Sequence, residues 1–213
     1  GGWLAQTPRE GLQEKTVNMG RHLAELFTFA DVAHGEAKEP LPRDVWLPDT
    51  QVMVARDEAG TAAGFTLAAK GGHNAESHNH NDVGSFLVYR DGRPLIVDAG
   101  VGEYTAQTFS SRRYGLWTMQ SAYHSLLPTV DGAQQAPGFL HKATDVRYDV
   151  DDASAQIVLE LASTYPKEAD LCSWLRTITL RRGEQVVIRD QVEFNRAGHE
   201  LELSFLTPSG VAL

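Results

Sequence analysis

The sequence predicts a mainly β protein, an antiparallel β-sandwich of supersandwich-like form with a helical segment at its N-terminal end. Three observations lead there. From residue 51 onward the apolar pattern has a period of two and is cut by turn residues roughly every ten positions. Two of the cuts, Asp91-Gly92 and Arg182-Gly183-Glu184, are short hairpin signals. Helical periodicity is confined to one stretch before residue 40, too little for a parallel α/β arrangement.

A chain of 213 residues, 42% of them hydrophobic, can bury a core as one domain with a small appendage. Residues 1–8 read as loose chain. Residues 9–32 read as a helix, because Met19, Leu23, Leu26, Phe27 and Ala30 fall on one face. Residues 34–50 carry Pro40, Pro42 and Pro48 with mixed charge and read as an extended linker. This divides the chain into a helical segment and linker, 1–40, and a β-sandwich domain, 41–213. Strands are expected at 51–56, 64–69, 83–90, 94–98, 125–130, 144–150, 156–164, 174–181, 185–194 and 200–206. The final stretch, 205–213, reads as the start of a further strand, hence an interior cut.

Composition narrows the function. With 28 acidic against 19 basic residues the formal charge is −9, and no basic stripe exists to release counterions from a phosphate backbone, so nucleic acid is not an expected partner. No apolar run approaches the roughly 20 residues that cross a bilayer, and no membrane partner is expected. The single cysteine, Cys172, has no second cysteine to pair with and is expected to fill the core.

The densest chemistry is Ser77-His78-Asn79-His80-Asn81-Asp82. If the segment is extended, His78, His80 and Asp82 share one face; the same residue types also favour turns and caps, which leaves a polar loop as the alternative. Asp98 closes the apolar run Leu95-Ile96-Val97, where a partly buried carboxylate needs a cation or donors to offset its desolvation. His124 stands between Tyr123 and the apolar Leu126-Leu127, at the start of an expected strand. Two histidines and an aspartate suit zinc and leave the fourth tetrahedral position for water or another ligand. Arg112-Arg113-Tyr114 and Tyr104 lie in the stretch between Asp98 and His124. A guanidinium fork takes a carboxylate bidentately, and a phenol stacks on a sugar or passes a proton. A solvated loop is the alternative there. Of the four tryptophans only Trp117, in the same stretch, is a candidate sugar platform; Trp3, Trp46 and Trp174 are expected in packing roles. The His-x-His pair also invites comparison with cupins, but Asn81-Asp82-Val83-Gly84-Ser85-Phe86 lacks their glutamate. Neither a GxSxG elbow, a P-loop, HExxH nor paired CxxC occurs.

Taken together, Lys70-Gly71-Gly72-His73, Ser77 to Phe86, Ile96-Val97-Asp98-Ala99-Gly100, Tyr104, Arg113-Tyr114, Tyr123-His124 and Val130-Asp131-Gly132 resemble the heparinase II/III-like polysaccharide lyases, in the β-sandwich domain that follows an α/α-toroid. The resemblance is dense from Lys70 to Gly132 and loose elsewhere. Asp98 lies 18 residues after His80 and His124 a further 26, the spacing of that family's zinc triad. The resemblance implies that His80, Asp98 and His124 bind a structural zinc ion and that His78 is catalytic and faces the substrate cleft. It implies β-elimination on an acidic, uronate-containing polysaccharide of the glycosaminoglycan or alginate type, by a bacterial, secreted or periplasmic enzyme. Arg112, Arg113, Tyr114 and Tyr104 are the expected substrate contacts. Ser125 stands where the family commonly has asparagine, and Glu103 where it is often basic. The family's catalytic tyrosine belongs to the toroid, of which 9–32 would be the last helix, so these 213 residues alone are expected to have little activity. A carbohydrate-binding or structural zinc-stabilised module, and a cupin-type metal oxygenase, are the competing readings.

Overall fold

The computed structural model describes residues 19–34 and 41–208. The chain divides into two compact units, one comprising residues up to Pro42 with Ala59–Thr61, the other Arg43–Glu58 and the residues from Ala62 on. In the first unit helix α1 spans Met19–His34 and ends two residues beyond the expected 32. Leu23, Leu26, Phe27 and Phe29 are exposed along it. The earlier part of the expected helix, the loose residues 1–8, Trp3 and Pro40 lie outside the described residues, as do the last residues of the expected C-terminal strand start.

The second unit is β throughout. Its strands in chain order are β1 (Asp44–Leu47), β2 (Val52–Arg56), β3 (Phe65–Lys70), β4 (His73–Asn74), β5 (Phe86–Arg90), β6 (Arg93–Ile96) and β7 (Thr129–Val130). There follow β8 (Gly138–Lys142), β9 (Thr144–Val150), β10 (Ser154–Glu160), β11 (Leu171–Arg181), β12 (Gln185–Phe194) and β13 (Leu201–Glu202). One five-stranded sheet has the order β1-β2-β3-β5-β6 and one four-stranded sheet the order β12-β11-β10-β9; the short pairs β13-β7 and β4-β8 stand apart. Every pairing is antiparallel.

Alternation decides which face of each strand is buried. Met53 and Ala55 of β2, Leu67 and Ala69 of β3, and Phe86 and Val88 of β5 turn inward, as do Ala155, Ile157 and Leu159 of β10 and Trp174, Ile178 and Leu180 of β11. These side chains form one apolar cluster between the two sheets, the core of a sandwich. Trp46 of β1 stacks on Tyr148 of β9 with ring centroids 5.0 Å apart. The Asp91-Gly92 hairpin is present, both residues at positive φ, as a primed turn requires.

Several expectations need correction. Residues 44–47, expected as linker, form the edge strand β1; Pro42 and Pro48 flank it without interrupting its ladder to β2. The expected strand 125–130 survives only as Thr129–Val130, because Leu126 has φ +55 and Pro128 has no N–H to donate. Leu127 is nevertheless fully buried, so its apolar character fills the core from a loop. The expected strand 200–206 shortens to Leu201–Glu202. Cys172 is exposed, not core filler, because the register of β11 against β12 slips between Leu171 and Ser173.

Candidate functional site

The segment 71–85 leaves β3 and returns as β5, and it is held by polar side chains. Lys70 Nζ lies 2.6 Å from Asp82 Oδ1 and 3.2 Å from Glu76 Oε2. Burial pulls the Lys70 ammonium down, but the two carboxylates outweigh it and hold it above its usual value. Asn79 and Asn81 are buried. Asn79 Nδ2 donates to the Tyr114 hydroxyl at 3.2 Å, and Asn81 Nδ2 donates to the Gln135 carbonyl at 3.0 Å. Gln135 in turn donates to the Val83 carbonyl at 2.7 Å. With both asparagines turned in, His78 is left exposed and His80 half-buried. The extended segment imagined for 78–82 does not form: His78 sits in left-handed backbone at φ +58, and Asp82 is engaged by Lys70.

Asp98 follows β6 and His124 follows a short 3-10 turn, Ser121–Tyr123. His124 is fully buried and its Nδ1 donates to Asp98 Oδ2 at 2.6 Å. Asp98 Oδ1 accepts from Gly100 N at 2.9 Å. Burial works to raise the Asp98 carboxyl, yet the His124 and Gly100 donors prevail and leave it below its ordinary value. The His80 ring lies 5.6 Å from that of His124. Burial, joined by His124 and Arg113, holds His80 below the usual imidazole value, against the pull of Asp82 and Asp98. Among the described residues His124 Nε2 is buried without a hydrogen-bond partner.

His80, Asp98 and His124 are therefore gathered into one cluster. Among the described residues, however, no set of three or more His, Cys, Asp or Glu side chains is arranged as a metal-holding group. Asp98 Oδ2 and His124 Nδ1 are bonded to each other at 2.6 Å, closer than the roughly 3.3 Å that separates two ligand atoms of a tetrahedral zinc ion at about 2.0–2.1 Å from it. In kind the donors fit zinc, and the unpartnered buried nitrogen of His124 is a group a cation would satisfy.

The substrate candidates divide. His78 Nδ1 shares a hydrogen bond with Ser77 Oγ at 3.1 Å, and its ring stands at 87° to Tyr104, centroids 6.0 Å apart. Tyr114 is tied to Asn79 beside it. Arg113 is half-buried; its Nη2 reaches only Met119 Sδ at 3.4 Å, its Nε is buried and unpaired, and among the described residues no carboxylate pairs with it. Arg112 is exposed and its described bonds are backbone ones. Trp117 is exposed and packs edge-on against Tyr123. Two surface hollows lie on or beside β10 to β12, one including Gln156 and Arg189, the other Glu160 and Ser173.

Arg176 is the functional-site neighbour that the sequence reading missed. It is fully buried at an inward position of β11. Its Nε and Nη2 fork onto Asp190 at 2.7 and 2.8 Å, Nη1 donates to the Gly84 carbonyl at 2.9 Å, and Nη2 donates to the Leu126 carbonyl at 2.5 Å. One guanidinium thus pins the segment after His80 and the segment after His124. Gly84 has φ +89 and a Cβ there would meet Leu161 at 2.6 Å, so the loop passes the core where only glycine fits. The signal available in the sequence was an arginine at an inward position of the alternation Trp174, Arg176, Ile178, Leu180.

Fold and site together define a β-sandwich domain that gathers two histidines and an aspartate in its interstrand loops and leaves a third histidine exposed beside them. The model of the heparinase II/III-like C-terminal domain matches residues 39–211, and the chain belongs to that family. No match was found among curated proteins. Solved structures share the fold. Heparan sulfate lyase HepC from Pedobacter heparinus aligns with a TM-score of 0.57 at 19% identity, over 84% of this chain and 27% of that one. A heparinase III with methylated lysines, the BT4657 gene product, gives 0.62 at 19% identity, over 90% and 29%. Another heparinase III structure gives 0.57 at 20% identity, over 80% and 25%. This chain therefore spans 25 to 29% of the length of those structures.

Proposed function

We propose that the chain is the β-sandwich domain of a polysaccharide lyase that cleaves an acidic, uronate-containing polymer by β-elimination, and that it supplies one wall of the cleft. Family membership supports the class, and the observation that carries the site is His78: an exposed imidazole beside Tyr104, on a loop tied to Tyr114, whose neighbour Arg113 has no acid partner among the described residues. In such a reaction the C5 carboxylate is neutralised, a base takes the C5 proton, the C4–O4 bond breaks as the C4–C5 double bond forms, and an acid returns a proton to O4. An imidazole titrates near neutrality and can donate to the carboxylate or share the proton transfer. Arg113 offers its fork to the carboxylate, with Arg112 at the rim, while Tyr104 and Tyr114 line the approach. His80, Asp98 and His124 would hold zinc, whose contribution is structural, joining the loop after Asp98 to the one carrying His80. On this reading residues 1–40 are the tail of an α/α-toroid that supplies the remaining catalytic groups, in a secreted or periplasmic bacterial enzyme.

The test is His78→Ala in the intact protein, following ultraviolet absorbance of the unsaturated uronate product on heparan sulfate, chondroitin and alginate. Turnover should fall at least about 100-fold, the usual scale of a positioned acid or base. Unchanged turnover would remove His78 from catalysis. That result would favour a second reading, a carbohydrate-binding or structural module.

A further inference from the structure

Between Asp98 and the 3-10 turn at Arg113–Gly115 the chain forms no strand, yet it holds two aromatic rings in fixed register. Tyr104 and Phe109 stack with centroids 5.6 Å apart and planes 19° apart. The turn between them sets that register. Thr108 N donates to the Thr105 carbonyl and Thr105 N to Thr108 Oγ1, both at 3.0 Å, and Thr108 is only 2% exposed. Ser110 Oγ closes the next bond, to the Gln107 carbonyl at 2.9 Å. The rings themselves are 51% and 67% exposed, in a rim of threonine, serine and glutamine. The His78 ring stands nearly perpendicular to both, at 87° to Tyr104 and 85° to Phe109, with centroids 6.0 and 6.2 Å away. The Tyr104–Phe109 stack and the upright His78 ring make a corner with an apolar side and a polar side.

We propose that Tyr104 and Phe109 form a sugar-stacking platform, on which one pyranose ring of the polymer lies with its C–H face against the rings and its polar edge toward His78. A pyranose has the matching halves: an apolar face and a rim of hydroxyl groups. Stacked rings left in water gain only their mutual contact, and a second flat apolar surface laid on them recovers the remaining area. Solvent-facing aromatic surface in a polar rim is the usual anatomy of such a ligand floor. Phe109 matters most because it has no hydroxyl to satisfy and is the more exposed ring. The ligand class rests on the uronate-polymer reading above; the placement rests on the three rings alone.

The experiment is equilibrium binding of size-defined heparan sulfate and alginate oligosaccharides to the intact protein by titration calorimetry, with thermal melting of each variant in parallel. Phe109→Ala should weaken the Kd of the oligosaccharide that binds by about tenfold, in the range of losing one aromatic stacking partner. Tyr104→Ala should weaken it similarly, and Phe109→Trp should restore it, all with melting temperatures unchanged. Unchanged affinity in Phe109→Ala overturns the platform, as does failure of the wild-type protein to bind either sugar. A lowered melting temperature with unchanged affinity also overturns it, since the rings would then pack against protein. Absent turnover with a Phe109-dependent Kd would count against the lyase reading while leaving the platform standing.

Discussion

The four-stranded sheet and the loops that carry the site obey different rules. In β9 to β12 the chain runs through long antiparallel strands, and burial alternates along β11 with one slip at Cys172. In the loops 71–85 and 97–128 side chains join the backbone as bonding partners: buried asparagines, a glutamine, a fully buried arginine. Backbone at positive φ recurs there, at His78, Gly84 and Leu126. A left-handed leucine costs about 1–2 kcal/mol, and it persists here with its carbonyl held by Arg176. The regular sheet thus lends rigidity to the irregular backbone through one inward charge. Chemistry needs side chains at unusual angles, and those angles are maintained from the other sheet.

The sharpest way to break this division is Arg176→Met. It would leave the exposed Asp190 without its fork and orphan the Gly84 and Leu126 carbonyls, and a buried polar group that loses its partner costs about 1–3 kcal/mol. Chemical denaturation should show that loss, with Arg176→Lys recovering only part of it because an ammonium cannot hold Asp190 bidentately while reaching both carbonyls. A loss below about 1 kcal/mol would mean that the loops hold themselves. Zinc separates the two regions next. Saturation at a hundred times the Kd is worth about 2.7 kcal/mol, so zinc should raise the melting temperature, a chelator should reverse the rise, and His124→Ala should abolish it. A wild-type protein that melts alike with zinc and with chelator would leave Asp98 and His124 as a hydrogen-bonded pair only.

The smallest effect lies outside both regions, at His199, whose Nδ1 meets Asp131 at 2.6 Å and whose Nε2 meets Asp170 at 3.1 Å. The Asp131 hydrogen bond, aided by Asp170 and opposed by desolvation, raises the His199 imidazole. The Glu200 N–H and His199 lower Asp131; Arg196, then His199, lower Asp170. A raised histidine stabilises fully below its ordinary value of about 6.5 and loses that contribution as pH rises through the raised one. Lowered carboxylates stabilise above their ordinary value, near 4, and lose it as pH falls. The melting difference between wild type and His199→Ala should therefore be greatest at mildly acidic pH, about 4.5 to 6.5, and shrink above neutrality. A difference that grows with pH would contradict the arrangement.

Much of the sandwich was legible because two-residue alternation in β2, β3, β10 and β11 reports the burial of one face directly. Strand β1 was hidden by the prolines at its ends, whose effect on an edge strand is slight. β4 and β8 are fixed by partners remote in sequence, which no local pattern encodes. In the site, the resemblance named His80, Asp98 and His124 together, and the structure brings the three near one another, with the Tyr104 ring 6.0 Å from that of His78. The direct bond between Asp98 and His124 was not readable, since it depends on how two loops close. Phe109 escaped because a lone aromatic in a polar loop gains meaning only when its stacking partner is placed.

The bond from Arg176 to Gly84 spans 92 residues, and that to Leu126 spans 50. On a ribosome adding about 5–20 residues per second, the loops emerge several seconds before their anchor does. Through that interval Leu126 and Leu127 have no inward charge behind them and no closed sheet above them. Until β11 is made, the Gly84 and Leu126 carbonyls lack the donor that holds them in the folded domain.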